Sequence, residues 1–190
     1  MLRPALALVL ASFSVSALAA DPAPEIAPLQ DAANRLLQRL GSALKQEMST
    51  HGPVAAIGVC KDLAPQLAGE LSRENGWKVT RVSLKVRNPM LGLPDAWEQQ
   101  QLLNFDAQAK NGAAPASLQH AEIITAPAGR YQRYVKAIPM QPMCLTCHGP
   151  AEQIPAEVRL ALQRSYPHDK ATGYQPGMIR GAVSITRPLP

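Results

Sequence analysis

The stretch that decides the fold is residues 77–87, which read WKVTRVSLKVR. In its second half polar and apolar residues alternate. The polar positions are Arg81, Ser83, Lys85 and Arg87, and the apolar positions are Val82, Leu84 and Val86. Because successive side chains of a strand point to opposite faces of a sheet, this alternation predicts a strand with one buried face. The pair Asn88-Pro89 is expected to end it.

Two helical patterns precede this strand. Apolar residues recur at helical spacing from Leu29 to Met48, and His51-Gly52-Pro53 stops the pattern. A second apolar stripe runs from Ile57 to Leu71 and includes Cys60. A proline, Pro65, interrupts this stripe and is expected to bend the helix.

Helices and strands also follow the strand. Helical patterns cover residues 95–110 and 156–165, and strand patterns cover residues 120–126, 131–138 and 179–186. The pair Ala128-Gly129 lies between two of these strands and predicts a hairpin. Helices followed by hairpin-connected strands predict an α+β domain with an antiparallel sheet, which we assign to residues 29–190.

The N-terminus has the features of an export signal. Arg3 supplies a positive charge, residues 5–15 are apolar, and Ala17-Leu18-Ala19 fits a cleavage site. We therefore expect residues 1–19 to be a cleaved signal peptide and residues 20–28 to be a flexible leader. An uncleaved anchor is the alternative, although the apolar run is short for a membrane span. The mature protein is expected in the periplasm, without membrane insertion.

The net charge of the chain gives little information about its binding partners. The 190 residues include 19 Lys and Arg and 14 Asp and Glu, which gives a formal net charge of +5. An excess of this size needs no nucleic acid to explain it, and an exported protein would rarely meet nucleic acid.

The motif with the clearest chemistry is Cys144-Leu145-Thr146-Cys147-His148, a C-x-x-C-H sequence. Two thiols at this spacing can add to the two vinyl groups of one haem, and the next residue then lies under the iron. The motif therefore predicts one covalent haem c with His148 as the proximal ligand. A redox-active disulfide would leave His148 without a role, and a zinc site would need further ligands at recognised spacing.

The sequence resembles a family of exported c-type haem domains with a PAS-like fold. Such domains occur alone in bacteria and as sensor parts of chemoreceptors and histidine kinases, and most of them have no known function. The resemblance rests on residues 58–60, 64–65, 81–89, 94–98, 144–149, 166–167, 169, 171–174, 177 and 180–184. It implies a PAS-like antiparallel sheet flanked by N-terminal helices. Met178 departs from the family pattern, which has an acidic residue there.

The residues alone do not decide which side chain is the sixth iron ligand. Cys60 is unpaired once the motif cysteines are bonded to haem, so it is either a buried core residue or an iron-bound thiolate. The resemblance favours the thiolate, because Cys60 falls on the family's second-helix cysteine. Met178 is the alternative ligand. Met140 and Met143 lie too close to the motif, and His51, His120 and His168 are expected at the surface.

Basic residues are the candidates for contact with the haem propionates. Arg81, Lys85 and Arg87 share one face of the predicted strand, and a guanidinium group matches the geometry of a carboxylate. A solvated face is the alternative interpretation. A second, weaker set consists of Arg130, Arg133 and Lys136.

We rank three functions from the sequence. The first is a mono-haem electron carrier with an unknown redox partner. The second is a redox or small-gas sensor for NO or CO, which would act through a separate signalling partner. The third, an enzyme such as a peroxidase, is not expected, because the sequence offers no obvious distal acid–base pair.

Overall fold

The computed structural model describes residues 25–190, so the predicted signal peptide and most of the predicted leader lie outside the described residues. The helices are α1 Ala27–Thr50, α2 Gly52–Gly58, α3 Ala64–Asn75, α4 Pro89–Gly92, α5 Ala96–Lys110, α6 Leu145–His148 and α7 Ala156–Ser165. The strands are β1 Lys78–Val82, β2 Gln119–Ala126, β3 Gly129–Pro139 and β4 Ile179–Leu189. Within residues 25–190, no helix is both long enough and apolar enough to cross a membrane.

The strands form one antiparallel sheet in the order β1-β4-β3-β2. The hairpin expected at Ala128-Gly129 is present, because β2 and β3 pair up to Ala126 opposite Gly129. The last strand in sequence, β4, lies between β1 and β3. This α+β arrangement, with helices packed on an antiparallel sheet, is consistent with a PAS-like fold.

Alternation along the strands gives the sheet two apolar faces. Helices α1 and α3 cover one face, where their leucines pack against Val79, Tyr134 and Ile185. Helix α5 covers the other face, where Phe105 packs in a cluster with Val82. Arg81 lies two residues from Val79 in β1 and therefore shares the face that α1 and α3 cover.

The prediction of one strand through residue 87 is wrong beyond Val82. The last residue pair between β1 and β4 is Val82 with Ala182. The amide of Ser83 instead donates to the carbonyl of Gly92, 3.1 Å away, and the chain turns from the sheet. The expected alternation of burial is also lost: Leu84 is 37% exposed, whereas Arg87 is 8% exposed. Residues 83–87 contact a loop that is distant in the sequence, and these contacts decide which of their side chains are buried.

Candidate functional site

A cavity of about 630 Å³ lies on the sheet face that α1 and α3 cover. Its walls come from α1 to α3, from strands β1, β3 and β4, from the turn after β1, and from the C-x-x-C-H motif. Most of its lining is aliphatic. The lining residues that carry reactive, polar or charged side chains of interest are Cys60, Lys61, Arg81, Arg87, Lys136, Cys144, Cys147, His148, Tyr166 and Arg180. The volume falls in the range of about 300–1,000 Å³ common for small-molecule and cofactor sites.

The motif presents its side chains from a tight local structure. Cys144 ends a 3₁₀ turn, and Cys147 and His148 lie in the short helix α6 that follows directly. The next residue, Gly149, donates its amide to the carbonyl of Leu145 at 2.8 Å. A Cβ at position 149 would come 2.6 Å from that oxygen, so only glycine fits there without a shift. Cys144 and Cys147 form no disulfide with each other.

The hydrogen bonds of His148 define its tautomer. Its Nδ1 lies 2.7 Å from the carbonyl oxygen of Ala171, which can only accept a hydrogen bond. The ring therefore carries its proton on Nδ1, and Nε2 is the unprotonated nitrogen, whose lone pair can accept. Two guanidinium groups donate toward that lone pair, Arg180 Nε at 3.3 Å and Arg87 Nη1 at 3.4 Å. An imidazole in this tautomer can bind a metal through Nε2 when the two guanidinium groups give up that contact.

Burial and charge keep this imidazole neutral. Burial moves the pKa of His148 well below its usual range, and the charges of Arg180 and Arg87 lower it further. Burial also raises the pKa of both motif thiols, that of Cys147 to about 11. At neutral pH the motif therefore presents two protonated thiols and one unprotonated ring nitrogen.

Cys60 lines the same cavity from the helical side. It lies in a π-helical turn, Val59–Leu63, between α2 and α3. There the amide of Ala64 donates to the carbonyl of Val59, five residues back. Such turns insert one extra residue into a helix and are frequent at functional sites. The irregularity expected at Pro65 is thus a π-helical turn just before that proline.

The charged groups of the cavity have a single sign. Among residues 25–190, those lining it include five basic side chains and no Asp or Glu. Arg81 is one of them, and within the described chain its guanidinium has no hydrogen bond or ion pair. Burial lowers its pKa, and a cation without a partner in such surroundings favours an anionic ligand. The cavity is therefore suited to a largely apolar ligand that carries negative charge.

The other propionate candidates are engaged elsewhere. Lys85 lies at the surface, where Nζ donates to the carbonyl of Thr172 at 3.2 Å and stands 4.8 Å from the ring centroid of Tyr174. Arg87 is buried and forms an ion pair with Asp169, with 3.0 Å between Nε and Oδ2. Of the three, Arg81 presents a guanidinium without a protein partner to the cavity.

The second set of basic residues is divided. Lys136 lines the cavity from β3. Arg133 points to the opposite side of that strand and forms ion pairs with Asp95 and Glu98, at 2.7 and 3.1 Å. Arg130 lies at the exposed end of β3, next to the hairpin.

Most of the remaining alternatives for an iron ligand lie away from the cavity. The sulfur of Met178, the alternative sixth ligand, accepts a hydrogen bond from the amide of Gln175 at 3.3 Å, and that side chain is 42% exposed. His51, His120 and His168 are exposed. Of the residues weighed as a second ligand, only Cys60 and Met143 line the cavity.

Sequence reasoning did not select Arg180 or Tyr166. Arg180 also donates from Nη1 to the hydroxyl of Ser83 at 2.8 Å, which ties the start of β4 to the turn after β1. Both residues fall within stretches that carry the resemblance, which was the only available signal. No local pattern marks them as site residues, because their place depends on long-range packing.

A bare metal ion does not suit the site. Within residues 25–190, no three side chains of His, Cys, Asp or Glu come together as the ligands of such an ion would. The three thiols and the imidazole line one cavity without converging on a point. This spread fits a cofactor that extends across the cavity and bonds to the protein at several atoms.

Comparison with known proteins gives two matches. The family model described as Tll0287-like matches residues 21–188. A solved structure described as the crystal structure of the cyanobacterial haem protein Tll0287 is 30% identical, with a TM-score of 0.64. That match covers 90% of this chain and 98% of the other chain. No curated protein matches this chain.

Proposed function

Since this chain belongs to the Tll0287-like family, we propose that it is a haem protein whose single haem transfers electrons in the periplasm. The thioether bonds would form at Cys144 and Cys147, and His148 and Cys60 would bind the iron. The observation that carries this proposal is the cavity itself. One opening holds two thiols at the C-x-x-C spacing, a neutral imidazole, a third thiol and no described carboxylate.

The residues present fit a haem c on three grounds. The cavity is large, mostly aliphatic and lined by reactive groups from two sides. Nε2 of His148 is unprotonated, as an iron ligand must be. Arg81 and Lys136 offer positive charge to two propionates, and Arg81 has the planar fork that matches a carboxylate.

Bound haem would supply a one-electron couple between ferric and ferrous iron. The chain's own residues hold and tune that couple. The thiols would hold the cofactor covalently, Ala171 orients the imidazole, and the aliphatic lining would exclude water. The basic side chains stabilise the reduced state, and a Cys60 thiolate would stabilise the oxidised state.

The test is covalent attachment. The full chain, exported in a host with a cytochrome c maturation system, should keep haem through a denaturing gel stained for haem. Cys144→Ala and Cys147→Ala should each weaken the stain, because each removes one thioether bond, and the double variant should abolish it. Cys60→Ser is the matched control and should retain the stain. A wild-type chain that carries a Cys144–Cys147 disulfide and no haem would contradict the proposal.

The second candidate is a redox or gas sensor, and the position of Cys60 in a π-helical turn favours it. Such turns are frequent at functional sites, and a sensor needs a ligand that can leave the iron. If the Cys60 thiolate is released when iron is reduced, the ferrous protein should bind CO or NO. Optical spectra with and without CO separate the functions, since a carrier with two firm ligands would show no change.

Export is part of the same proposal. The purified periplasmic protein should begin at Ala20 or Asp21, and intact mass measures this directly. A membrane-bound chain that retains residues 1–19 would contradict cleavage. The redox or signalling partner would then be sought among exported proteins and membrane proteins with periplasmic domains.

A further inference from the structure

A buried ion pair stands behind the motif histidine. Arg87 and Asp169 have side chains that are 8% and 12% exposed, and Arg87 Nε donates to Asp169 Oδ2 at 3.0 Å. Removing the partner of a buried charge is costly, so such a pair is held firmly. Arg87 comes from the turn after β1, and Asp169 from the loop after α7. The pair therefore joins two segments far apart in the sequence.

Both partners of the ion pair also contact the backbone of Ala171, whose carbonyl accepts a hydrogen bond from His148. The other oxygen of Asp169, Oδ1, accepts from the amide of Ala171 at 2.8 Å. Arg87 Nη2 donates to the carbonyl of Cys147 at 2.5 Å and approaches that of Ala171 at 3.4 Å. The carbonyl of Ala171 is the acceptor for Nδ1 of His148. One side of the ion pair thus fixes the amide at residue 171, and the other side approaches its carbonyl.

The surrounding loop is attached to the motif at two more points. The amide of Gly173 donates to the carbonyl of Gly149 at 2.8 Å, and that of Tyr174 donates to the carbonyl of His148 at 3.0 Å. The ring of Tyr174 stands edge-on to the imidazole, with 6.1 Å between centroids. The imidazole is thus held in one orientation by a loop whose own position depends on the ion pair.

We propose that Arg87 and Asp169 act together as positioning residues for His148, setting the orientation of the iron-binding imidazole through the peptide of Ala171. This inference rests on the proposed function and differs from the expectation that Arg87 contacts a propionate. Two nitrogens of Arg87 are engaged by Asp169 and by the carbonyl of Cys147, and both contacts are compatible with iron on Nε2 of His148. The role of Arg87 is to hold the ligand rather than the cofactor's edge.

The orientation of an axial imidazole affects the g-values of low-spin ferric haem, whereas a fall in stability alone does not. The experiment compares ferric EPR spectra and reduction potentials of haem-loaded wild type, Asp169→Asn and Arg87→Gln. Asp169→Asn keeps the size of the side chain and removes its charge. Arg35→Gln, which breaks a remote exposed ion pair with Glu74, is the control. If Arg87→Gln does not accumulate, Arg87→Lys gives the same comparison, because lysine keeps the charge without the fork.

We expect both variants to keep covalent haem and to broaden or shift the ferric EPR signal, with the control unchanged. Unchanged g-values with potentials moved in opposite directions would overturn the inference, since the pair would then act only as two charges. A change in Arg87→Gln alone would also overturn it and would restore Arg87 as a propionate contact. A wild-type protein without covalent haem would instead overturn the proposed function, and this inference with it.

Discussion

Arg81 and Lys85 are four residues apart and have different surroundings. Arg81 presents an unpartnered guanidinium to the cavity, whereas Lys85 is exposed and bonded to the loop at Thr172. A positive charge close to the iron favours the ferrous state, because reduction lowers the positive charge on the metal. The two residues therefore form a natural comparison.

We expect Arg81→Gln to lower the reduction potential and to reduce the fraction of chains loaded with haem. The loss of one cation from the cavity is the cause of both effects. Lys85→Gln should leave the potential and the loading unchanged, because water screens its charge. Potentiometric titration of the two purified variants measures this. Equal shifts in the two variants would show that Arg81 has no special contact with the cofactor.

Cys60 allows a second prediction at this scale. An anionic thiolate stabilises ferric iron, so Cys60→Ser and Cys60→Ala should raise the potential and change the low-spin ferric spectrum. The identity of the axial ligand spans about 0.8 V among haem proteins, so the shift should be large. Covalent attachment should persist, which the haem stain checks. An unchanged spectrum and potential in both variants would leave Cys60 as a lining residue only.

The chemistry of single residues could be predicted only where a motif carries it. The spacing of Cys144, Cys147 and His148 indicates haem without any structure, because the cofactor's own geometry sets that spacing. The positions of Arg87 and Arg180 could not be predicted, because both depend on contacts between segments that are distant in the sequence. Arg87 pairs with Asp169, and Arg180 joins the start of β4 to the turn after β1. The single unpaired cysteine, Cys60, suggested a role, and only the fold brings it to the cavity.

At the scale of elements, periodicity predicted the helices and the hairpin well. The helix expected over residues 95–110 is α5, and the final strand begins at Ile179 as expected. The strand prediction fails at residues 83–87. There the alternation of polar and apolar residues continues, but the pairing with β4 has ended at Val82. Alternation of polar and apolar residues shows which side chains are buried against another segment. For residues 83–87 that segment is a loop and not a strand. Single-sequence patterns do not distinguish these two cases.

Helix α5 is fixed to the sheet through its first turn. Asp95 and Glu98 form a capping box, in which each side chain accepts from the other residue's amide at 2.8 Å. Glu98 is 5% exposed and also accepts from the hydroxyl of Ser184 at 2.6 Å. It forms an ion pair with Arg133 of β3 as well. One carboxylate therefore caps α5 and holds it against two strands.

We expect Glu98→Ala to lower the free energy of unfolding by about 3 kcal/mol or more, because it leaves buried donors unpaired. Asp95→Ala should cost about 1 kcal/mol, the usual value of a lost N-cap. Glu74→Ala, which breaks only an exposed ion pair with Arg35, should cost less than about 1 kcal/mol. Urea unfolding followed by circular dichroism measures all three. A cost for Glu98→Ala no greater than that for Glu74→Ala would contradict this account of α5.

At the scale of the whole molecule, two buried phenols connect stability to alkaline pH. Tyr134 lies in the core between the sheet and the first helices, and Tyr166 lines the cavity. Burial raises the pKa of each to about 12. An unfolded tyrosine titrates near pH 10. Above pH 10 the unfolded chain therefore loses protons that the folded chain keeps, and stability falls until the pH reaches about 12.

Tyr134→Phe removes one of the two phenol groups whose ionisation lowers the stability at alkaline pH. Between pH 10 and 12, its free energy of unfolding should fall less steeply than that of wild type, by about 1.4 kcal/mol per pH unit. At pH 7 the variant should lose about 1 kcal/mol, because the hydroxyl donates to Gln119 Oε1 at 2.7 Å. Gln119→Ala is the matched control, since it removes the same hydrogen bond and keeps the phenol, so its pH slope should equal that of wild type. Urea unfolding at several pH values tests both variants, and equal slopes in wild type and Tyr134→Phe would show that Tyr134 ionises alike in the folded and unfolded chains.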